Sequence, residues 1–516
     1  MTKKVSADFI KEHIVAVLLI LFMAIVYIYN MFTNKPWYDE LYTYYFFISR
    51  GPIYAAIHWP VPNNHVGYSV VSAFLDYLGN PYIGLRGVSV IAAVANLVLV
   101  YKLAIKFMNK WFATAAMALY AGTYLCFRLA FQGRGYTLST TCLLVAILAV
   151  YRIALGDCRI RNNIIFAAAL TLGLYIVPSS IYWVMPVCIT GGLYLLLQKR
   201  YRDLCNLVLS GVIAAVATLF LYLLIWLAIG ANLLSKDASS VYYGISQVKI
   251  ILKAPFAAAG TGIDYMLATP YIQSIDRLQC IKTMPEYFIS LFGNFYDKAG
   301  LLIFILYIVV MLLSIVITVI KIRRRNNSFL GLFISCGMVL VPVILMIQSV
   351  HPYLRVLSFL AVFLAIGFIY CISEGLELFS KDSITTKAGF CFSFLTIILA
   401  ITSCVSPFYR GPLATRENEI ADVLTQMGDP ASIDNIFYLD DYQKYVIKFY
   451  YDTTPNEVYT LEAADYVIAC PEFTDPQNEV PEWPVLYGYS PEMIEYVKSN
   501  MTVIAENDSY AIYKRK

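Results

Sequence analysis

The sequence predicts a polytopic α-helical membrane protein with a small extracytoplasmic α/β domain at its carboxyl end. Of the 516 residues, 59% are hydrophobic and 14% are charged, whereas soluble domains are about 45–50% apolar and about 25% charged. Apolar runs close to the length that crosses a bilayer, about 20 residues, recur through most of the chain. After about residue 405 the charges return, and short apolar segments alternate with turns.

About eleven apolar runs qualify as membrane-spanning helices. Their centres lie near residues 23, 93, 120, 146, 170, 189, 217, 310, 338, 364 and 396. The first run is too long for the apolar core of a signal peptide, and no cleavage site of the A-x-A kind follows it. We therefore expect it to stay in the protein as the first helix.

Basic residues indicate how these helices are oriented, because they concentrate in every second link. They are Lys3, Lys4 and Lys11; Lys102, Lys106 and Lys110; Arg152, Arg159 and Arg161; and the clusters at 198–202 and 321–325. Cytoplasmic links carry this excess of Lys and Arg. The intervening links are therefore predicted to lie outside the plasma membrane. The net charge of +4 resides largely in these links and indicates no nucleic-acid partner.

Two domains are predicted. Residues 1–405 form the membrane domain, with outer loops 34–80 and 231–298, and the second loop is long enough to hold helices lying on the bilayer surface. Residues 406–516 form the α/β domain. Its predicted elements are strands in SIDNIFYLD (432–440) and ADYVIACPEF (464–473), a helix beginning at Ser490-Pro491, and a hairpin around Asn507-Asp508.

Adjacent carboxylates, Asp39 and Glu40, occur in the stretch KPWYDELYTYY (35–45), where the first helix leaves the membrane. One of them, Glu40 in particular, could cap a short interfacial helix, but a cap does not require two. A carboxylate near a water-poor surface has a raised tendency to accept a proton. The pair therefore predicts general acid–base or metal chemistry.

Four arginines, Arg86, Arg128, Arg134 and Arg355, lie close to the predicted outer ends of spanning helices. Each one alone is explained equally well by snorkelling or by pairing with a carboxylate. Together, on the face that carries the acidic pair, they predict an anion site. A guanidinium matches a phosphate with two parallel hydrogen bonds, and the anion expected at this depth is a lipid phosphate.

The loop after the acidic pair contributes Asn64 and His65, whose side chains can hydrogen-bond a sugar or a phosphate oxygen. A single histidine is more often structural. Tyr136 is near the charged residues and could stack on a sugar ring, although many of the tyrosines are expected to form the interfacial aromatic belt. A divalent metal ion bound by Asp39, Glu40 and His65 stays open, because no ligand spacing is recognisable.

Four segments in order, WYDELYTYY, NNHVGYSVV, LRGVSVI and FQGRGYTLS, resemble bacterial dolichyl-phosphate-mannose–protein mannosyltransferase-like and lipid A aminoarabinose transferase-like proteins. These are GT-C superfamily glycosyltransferases. The resemblance implies a GT-C fold and inverting transfer of one monosaccharide from a polyprenyl-phosphate donor to an acceptor hydroxyl on the extracytoplasmic face. The acceptor could be a protein, a glycolipid or a wall polymer.

The same resemblance implies roles for single residues. Asp39 would be the general base or help to hold a metal, and Glu40 would support it and contact donor or acceptor. Arg134 and Tyr136 match an Arg-x-Tyr element near the donor, with Arg134 toward its phosphate, while Arg86 and Arg355 match weaker positions. Where many members have Pro-Pro-Leu, and some a phosphate-contacting lysine, this chain has HVGYS, so the sugar cannot be carried over.

Two other function classes fit some of these features. A polymerase or ligase of lipid-pyrophosphate glycans would also need outer arginines, and its products would be polymers. A transporter or lipid flippase usually shows internal repeats, and the two halves of this sequence show no repeat.

Overall fold

The computed structural model describes residues 11–58, 64–157, 159–229, 247–267, 276–379, 382–410, 422–427, 435–438, 441–451, 456–469, 490–508 and 510–516. Most of these residues are helical. The helices are α1 (Ile14–Thr33), α2 (Tyr38–Phe46), α3 (Pro52–Ile57), α4 (Val66–Asp76), α5 (Pro81–Ala104), α6 (Lys110–Ala121), α7 (Tyr124–Leu129), α8 (Tyr136–Ala154), α9 (Ile160–Ile176), α10 (Ile181–Leu197), α11 (Tyr201–Ile229), α12 (Gln247–Leu267), α13 (Arg277–Gly293), α14 (Gly300–Arg323), α15 (Phe329–Gln348), α16 (Leu360–Phe379), α17 (Asp382–Arg410), α18 (Asp441–Tyr451) and α19 (Pro491–Asn500).

Nine of the described helices are long and apolar enough to cross a membrane: α1, α5, α8, α10 counted from Pro178, α11, α14, α15, α16 and α17. The polytopic helical fold is confirmed. The predicted centres near residues 120 and 170 fall in α6 and α9, which have 12 and 17 residues. Both are shorter than the others, and α6 stops just before Thr123, where the separate helix α7 begins.

Helix α5 positions the candidate site, because it packs against α1, α4, α6 and α8. Asn80 caps it by accepting hydrogen bonds from the backbone amides of Tyr82 and Ile83, and Pro81 is its first residue. Helix α2 contacts α5 near this amino-terminal end. The opposite end carries Lys102 in its last turn, so the site and the basic links occur at opposite ends of this helix.

The outer loop 231–298 contains α12 and α13, while residues 230–246 and 268–275 lie outside the described part. One side of α13 packs against α14 and α15 through its buried residues Cys280, Met284, Phe288, Leu291 and Phe292. The helices predicted in this loop are therefore present. Their position relative to a bilayer surface stays a prediction.

The tail forms a four-stranded sheet from β1 (Ile436–Tyr438), β2 (Tyr466–Ala469), β3 (Met501–Glu506) and β4 (Ala511–Arg515), in the order β1-β2-β4-β3. Strands β1 and β2 are parallel, and the other pairs are antiparallel. The predicted strands and hairpin are found. Ser490 caps α19, as predicted, by accepting a hydrogen bond from the amide of Met493 at 3.2 Å.

Helix α18 of the tail packs on α2, the helix that begins at Tyr38 and carries the acidic pair. The ring of Tyr445 stacks on Tyr45 with centroids 5.6 Å apart, and Phe449 meets the edge of Tyr44 at 6.0 Å. The tail and the membrane part therefore share one apolar core. The domain boundary at residue 405 stays a prediction.

We predict that Gly337→Ala lowers the unfolding temperature of the detergent-solubilised protein by several degrees. A β-carbon at Gly337 of α15 would overlap the ring of Phe363 on α16, and overpacking of this kind typically costs about 1–3 kcal/mol. Gly211→Ala in α11 is the control, since a β-carbon there meets no atom within 4 Å. Equal unfolding temperatures for the two variants would contradict this packing.

Candidate active site

A buried ion pair lies at the base of the candidate site. The Nε and Nη2 atoms of Arg86 donate hydrogen bonds to Oε1 and Oε2 of Glu40 at 2.7 and 2.9 Å. Each side chain is 1% exposed. The two parallel bonds join the guanidinium to the carboxylate in the bidentate geometry that is strongest for this pair.

Both partners of this ion pair have further bonds to backbone groups. Nη1 of Arg86 donates to the carbonyl oxygens of Met31 and Asn34. The Glu40 carboxylate accepts hydrogen bonds from the amides of Trp37 at 3.2 Å and Gly133 at 2.7 Å. The pair therefore ties the end of α1, the start of α2, α5 and the loop before α8 together.

This geometry differs from the roles that the sequence suggested for Arg86 and Glu40. Arg86 is 1% exposed, and its guanidinium donates to a carboxylate and two carbonyls, so we propose for it a positioning role in place of contact with a lipid phosphate. Glu40 both closes the first turn of α2 through the Trp37 amide, as a cap would, and neutralises Arg86. The four-arginine pattern could not separate such a structural arginine from a phosphate ligand.

Gly133 brings the α7–α8 connection close enough to reach Glu40. A β-carbon at this position would lie 3.0 Å from the carbonyl oxygen of Leu85 and against the Leu85 side chain. Glycine lets the backbone approach α5 at this point. The GRG segment of the sequence is therefore explained by packing as well as by its arginine.

Asp39, one residue before the buried Glu40, is 15% exposed and faces two other arginines. Its Oδ2 atom lies 3.4 Å from Nη2 of Arg355 and 3.9 Å from Nη2 of Arg134. The two adjacent acids in the first turn of α2 thus pair with different arginines, Glu40 with Arg86 and Asp39 with Arg355 and Arg134. Glu40 is enclosed in protein, while Asp39 keeps a carboxylate at an accessible surface beside two positive charges.

Arg134 is buried next to Asp39, with 3% of its side chain exposed. Its Nη1 donates to the hydroxyl of Thr43 at 3.0 Å, and its Nη2 is 3.3 Å from Nε2 of His65. The amide of Gly135 donates to Nδ1 of His65 at 2.8 Å. Because that amide can only donate, a neutral His65 carries its proton on Nε2.

The pKa of His65 is well below its ordinary value of 6.5, because burial removes the ring from water and the charges of Arg134 and Arg355 oppose a further positive charge. The ring is therefore neutral at pH 7. Its Nε2–H group and the guanidinium of Arg134 are hydrogen-bond donors side by side.

Asn64 and Tyr136 occupy different positions. Asn64 is buried, donates to the carbonyl of His58 at 2.6 Å and accepts from Ser69 at 2.7 Å, so it holds the loop before α4. The hydroxyl of Tyr136 accepts from Nε of Arg355 at 3.3 Å, and its ring meets His65 edge-on. Tyr136 therefore belongs to the cluster around Asp39, whereas Asn64 bonds to residues outside that cluster.

A divalent metal does not fit the residues suggested for it. The Glu40 oxygens are occupied by Arg86 and two amides, and both nitrogens of His65 face hydrogen-bond donors. No group of three or more His, Cys, Asp or Glu side chains suited to a metal occurs among the described residues. These residues therefore support no reaction step that passes through a metal ion.

A large cavity of about 620 Å³ adjoins the Asp39 cluster, and Arg355 lines it. Its other lining residues are Trp37, Leu125, Arg128, Leu129, Gln132, Thr283, Glu286, Tyr287, Ser290, Asn294, His351, Pro352, Tyr353 and Leu354. The Arg355 guanidinium lies over the rings of Trp37 at 5.3 Å and Tyr353 at 4.6 Å. The volume is in the range of small-ligand sites, about 300–1,000 Å³.

Helix α13 supplies one wall of this cavity, and the sequence reasoning missed it. Thr283, Glu286, Ser290 and Asn294 are spaced three or four residues apart, which places them on one helical face. The opposite face is the apolar one that packs on α14 and α15. This amphipathic pattern in TMPEYFISLFGN was the available signal, but it is also typical of a helix on a membrane surface.

The chain is similar to proteins of known family and structure. Residues 66–229 match the family model of dolichyl-phosphate-mannose-protein mannosyltransferases. The oligosaccharyltransferase of Archaeoglobus fulgidus, solved with zinc and sulfate, has a TM-score of 0.51 and 12% identity over 96% of this chain and 73% of its own. The chain has the GT-C fold. The resemblance of the sequence to GT-C glycosyltransferases is confirmed.

Two further solved structures are similar to this chain. AglB of Archaeoglobus fulgidus, in complex with an inhibitory peptide and a dolichol-phosphate, has a TM-score of 0.51 and 12% identity over 98% of this chain and 75% of its own. ArnT of Cupriavidus metallidurans, bound to undecaprenyl phosphate, has a TM-score of 0.42 and 12% identity over 96% and 97%. No curated protein sequence matches this chain.

We predict that Glu40→Leu and Arg86→Met each lower the free energy of unfolding by about 3–5 kcal/mol, because each leaves a buried charge without its partner. The double variant should lose less than the sum of the two. A double-mutant cycle in detergent measures this coupling. The same cycle on Lys321 and Glu374, a pair with 23% and 12% exposure, should give a smaller coupling. Additive losses for Glu40 and Arg86 would contradict their assignment as one unit.

We also predict that His65 makes stability fall at acidic pH. The unfolded chain binds a proton near pH 6.5 and the folded chain does not, so the contribution of His65 is present above that pH and is lost as the pH drops below it. The slope for one proton is about 1.4 kcal/mol per pH unit. His65→Asn should flatten the dependence of the unfolding temperature between pH 7 and 5, and His58→Asn should retain it. An unchanged slope in His65→Asn would refute this prediction.

Proposed function

We propose that the chain transfers a single sugar from a polyprenyl-phosphate donor to an acceptor hydroxyl, with inversion at the anomeric carbon. The observation that carries the proposal is the position of Asp39. Its partly exposed carboxylate is paired with Arg355, and Arg355 also lines the cavity of about 620 Å³. The proposed base thus lies beside a cation that lines a site large enough for a sugar.

The proposed reaction is one displacement. Asp39 takes the proton of the acceptor hydroxyl as its oxygen bonds to the anomeric carbon. The bond from that carbon to the phosphate oxygen breaks, and its electron pair leaves with the polyprenyl phosphate. The acceptor is glycosylated, Asp39 is protonated, and the phosphate has gained one negative charge.

That gained charge is where cations are needed. Arg355 is 25% exposed and extends from Asp39 into the cavity. Arg128 also lines the cavity, and it makes no hydrogen bond or ion pair with any described residue, although its guanidinium lies over the ring of Tyr124 at 5.9 Å. We assign the donor phosphate to Arg355 and Arg128 and the support of Asp39 to Arg134 and His65.

The position of the site along the helices agrees with a membrane-embedded donor. Arg86 and Tyr136 lie within the first two turns of α5 and α8, whereas Lys102 and Arg152 lie in their last turns. With the basic ends in the cytoplasm, Asp39 faces the extracytoplasmic side, where we place the reaction. The dolichol-phosphate complex of AglB supports a polyprenyl lipid as the carrier.

The identity of the acceptor is proposed only as a class, a hydroxyl of a protein, glycolipid or wall polymer. The family model of protein mannosyltransferases favours a protein. Residues 406–516 are the proposed extracytoplasmic domain, and Tyr445 of α18 within that range stacks on Tyr45 of α2, the helix that holds Asp39.

We predict that Asp39→Asn lowers transfer at least about 100-fold, because the general base is lost. The measurement uses the reconstituted protein with undecaprenyl phosphates that carry radiolabelled sugars and with envelope fractions as acceptors. Asp203→Asn is the matched control, since Asp203 is 18% exposed and pairs with an arginine that is 25% exposed, but it lies at the basic end. Full activity in Asp39→Asn would overturn the proposed role.

Mass spectrometry of the products completes this test. The proposal expects acceptors that have gained one sugar, and a ladder of products would instead indicate a polymerase. Movement of the lipid across the bilayer without covalent transfer would indicate a transporter.

A further inference from the structure

Most residues that line the cavity have no role in the proton transfer described above. They combine hydroxyl, amide and carboxylate groups of α13 and Asn294 with the aromatic side chains of Trp37, Tyr287 and Tyr353. Faces of aromatic rings beside polar groups that donate and accept hydrogen bonds are suited to a sugar, which has apolar C–H faces and hydroxyls at its edge.

The charge of the cavity also favours a sugar over a second anion. Arg128 and Arg355 line it, and Glu286 opposes them from the polar face of α13. Glu286 is an exposed carboxylate for which the described residues provide no ion pair or hydrogen bond. A cavity that had to bind only phosphate would gain nothing from an unneutralised carboxylate, whereas carboxylates accept hydrogen bonds from hydroxyls.

Two buried nitrogen atoms of the lining residues give independent support. Nε1 of Trp37 and Nε2 of His351 are shielded from water and hydrogen-bond to no described residue. An unsatisfied buried polar atom is costly. The ring of His351 stacks on Tyr287 at 4.7 Å, and the Tyr287 hydroxyl donates to the carbonyl of Pro352, so these groups form one unit along the wall.

From these observations we infer that the cavity is a sugar-binding subsite in which Glu286 on the polar face of α13 accepts hydrogen bonds from the hydroxyls of the sugar. This inference rests on the proposed function, because it places the sugar next to Asp39 and Arg355. It makes Glu286 a residue that selects the sugar, and Glu286 lies outside the four sequence segments that carry the family resemblance. The bound sugar is either the one carried by the donor lipid or one that belongs to the acceptor.

The test measures binding separately from transfer. The full chain in lipid nanodiscs is titrated with undecaprenyl phosphate and with undecaprenyl phosphates carrying mannose, glucose, galactose or arabinose. For the wild type we expect at least one glycolipid to bind more tightly than the sugar-free lipid. Glu286→Gln and Glu286→Ala should reduce that preference about tenfold and leave the affinity for undecaprenyl phosphate within about twofold.

Glu495→Gln is the control for the loss of one carboxylate, because Glu495 is exposed on α19 in the tail domain. It should keep the full preference for the glycolipid. His351→Phe, which retains the ring against Tyr287 but removes both nitrogens, tests the same wall, and His58→Phe is its control. His58 stacks on Tyr54 outside the cavity.

The outcomes distinguish the two sources of the sugar. A lost preference among the donor lipids assigns the subsite to the donor sugar. An unchanged preference, with slower transfer to a sugar-bearing acceptor and unchanged hydrolysis of the donor by water, assigns it to the acceptor sugar. If the Glu286 and His351 variants match the wild type in binding and transfer, the inference is wrong and the proposed function stands. A wild-type chain that binds none of these lipids would overturn both.

Discussion

The ion pair between Glu40 and Arg86 is the interaction on which the rest of the site depends. It joins four separate pieces of chain through one carboxylate and one guanidinium, with further bonds to two amides and two carbonyls. Desolvating two charges is expensive, and the cost is offset only when the remaining hydrogen-bonding groups are satisfied as well. Here the backbone supplies those bonds. The pair therefore fixes the direction of α2 and, with it, the position of the next carboxylate along the chain.

The two adjacent acids show how a helix can use neighbouring residues for opposite purposes. Successive positions on a helix point about 100° apart, so Glu40 turns into the protein while Asp39 turns toward Arg355, which lines the cavity. The first is enclosed by protein groups. The second keeps contact with solvent and with Arg355, which lies within 3.4 Å. The arginines separate in the same manner, since Arg86 is enclosed, Arg134 is buried beside Asp39, and Arg355 and Arg128 line the cavity.

Much of the fold could be predicted because hydrophobicity alone determines which segments enter a membrane, and turn residues mark the strands and the helix of the tail. The candidate cluster could also be predicted in part from the sequence, since the predicted residues Asp39, Arg134, Tyr136 and Arg355 all lie near one another in the structure. What could not be predicted was the partner of each charge. Arg86 and Arg355 look alike in sequence, and only the packing of α1, α2 and α5 shows which of them is enclosed. The contribution of α13 was hidden for a related reason, because an amphipathic helix beside a cavity and one on a lipid surface have the same pattern.

The contact between α18 and α2 has a consequence for how the tail and the site are held together. Tyr445 and Phe449 of the tail rest on Tyr45 and Tyr44, which follow Asp39 by less than two turns of the same helix. The same two aromatic contacts therefore anchor the tail and brace the helix that carries Asp39.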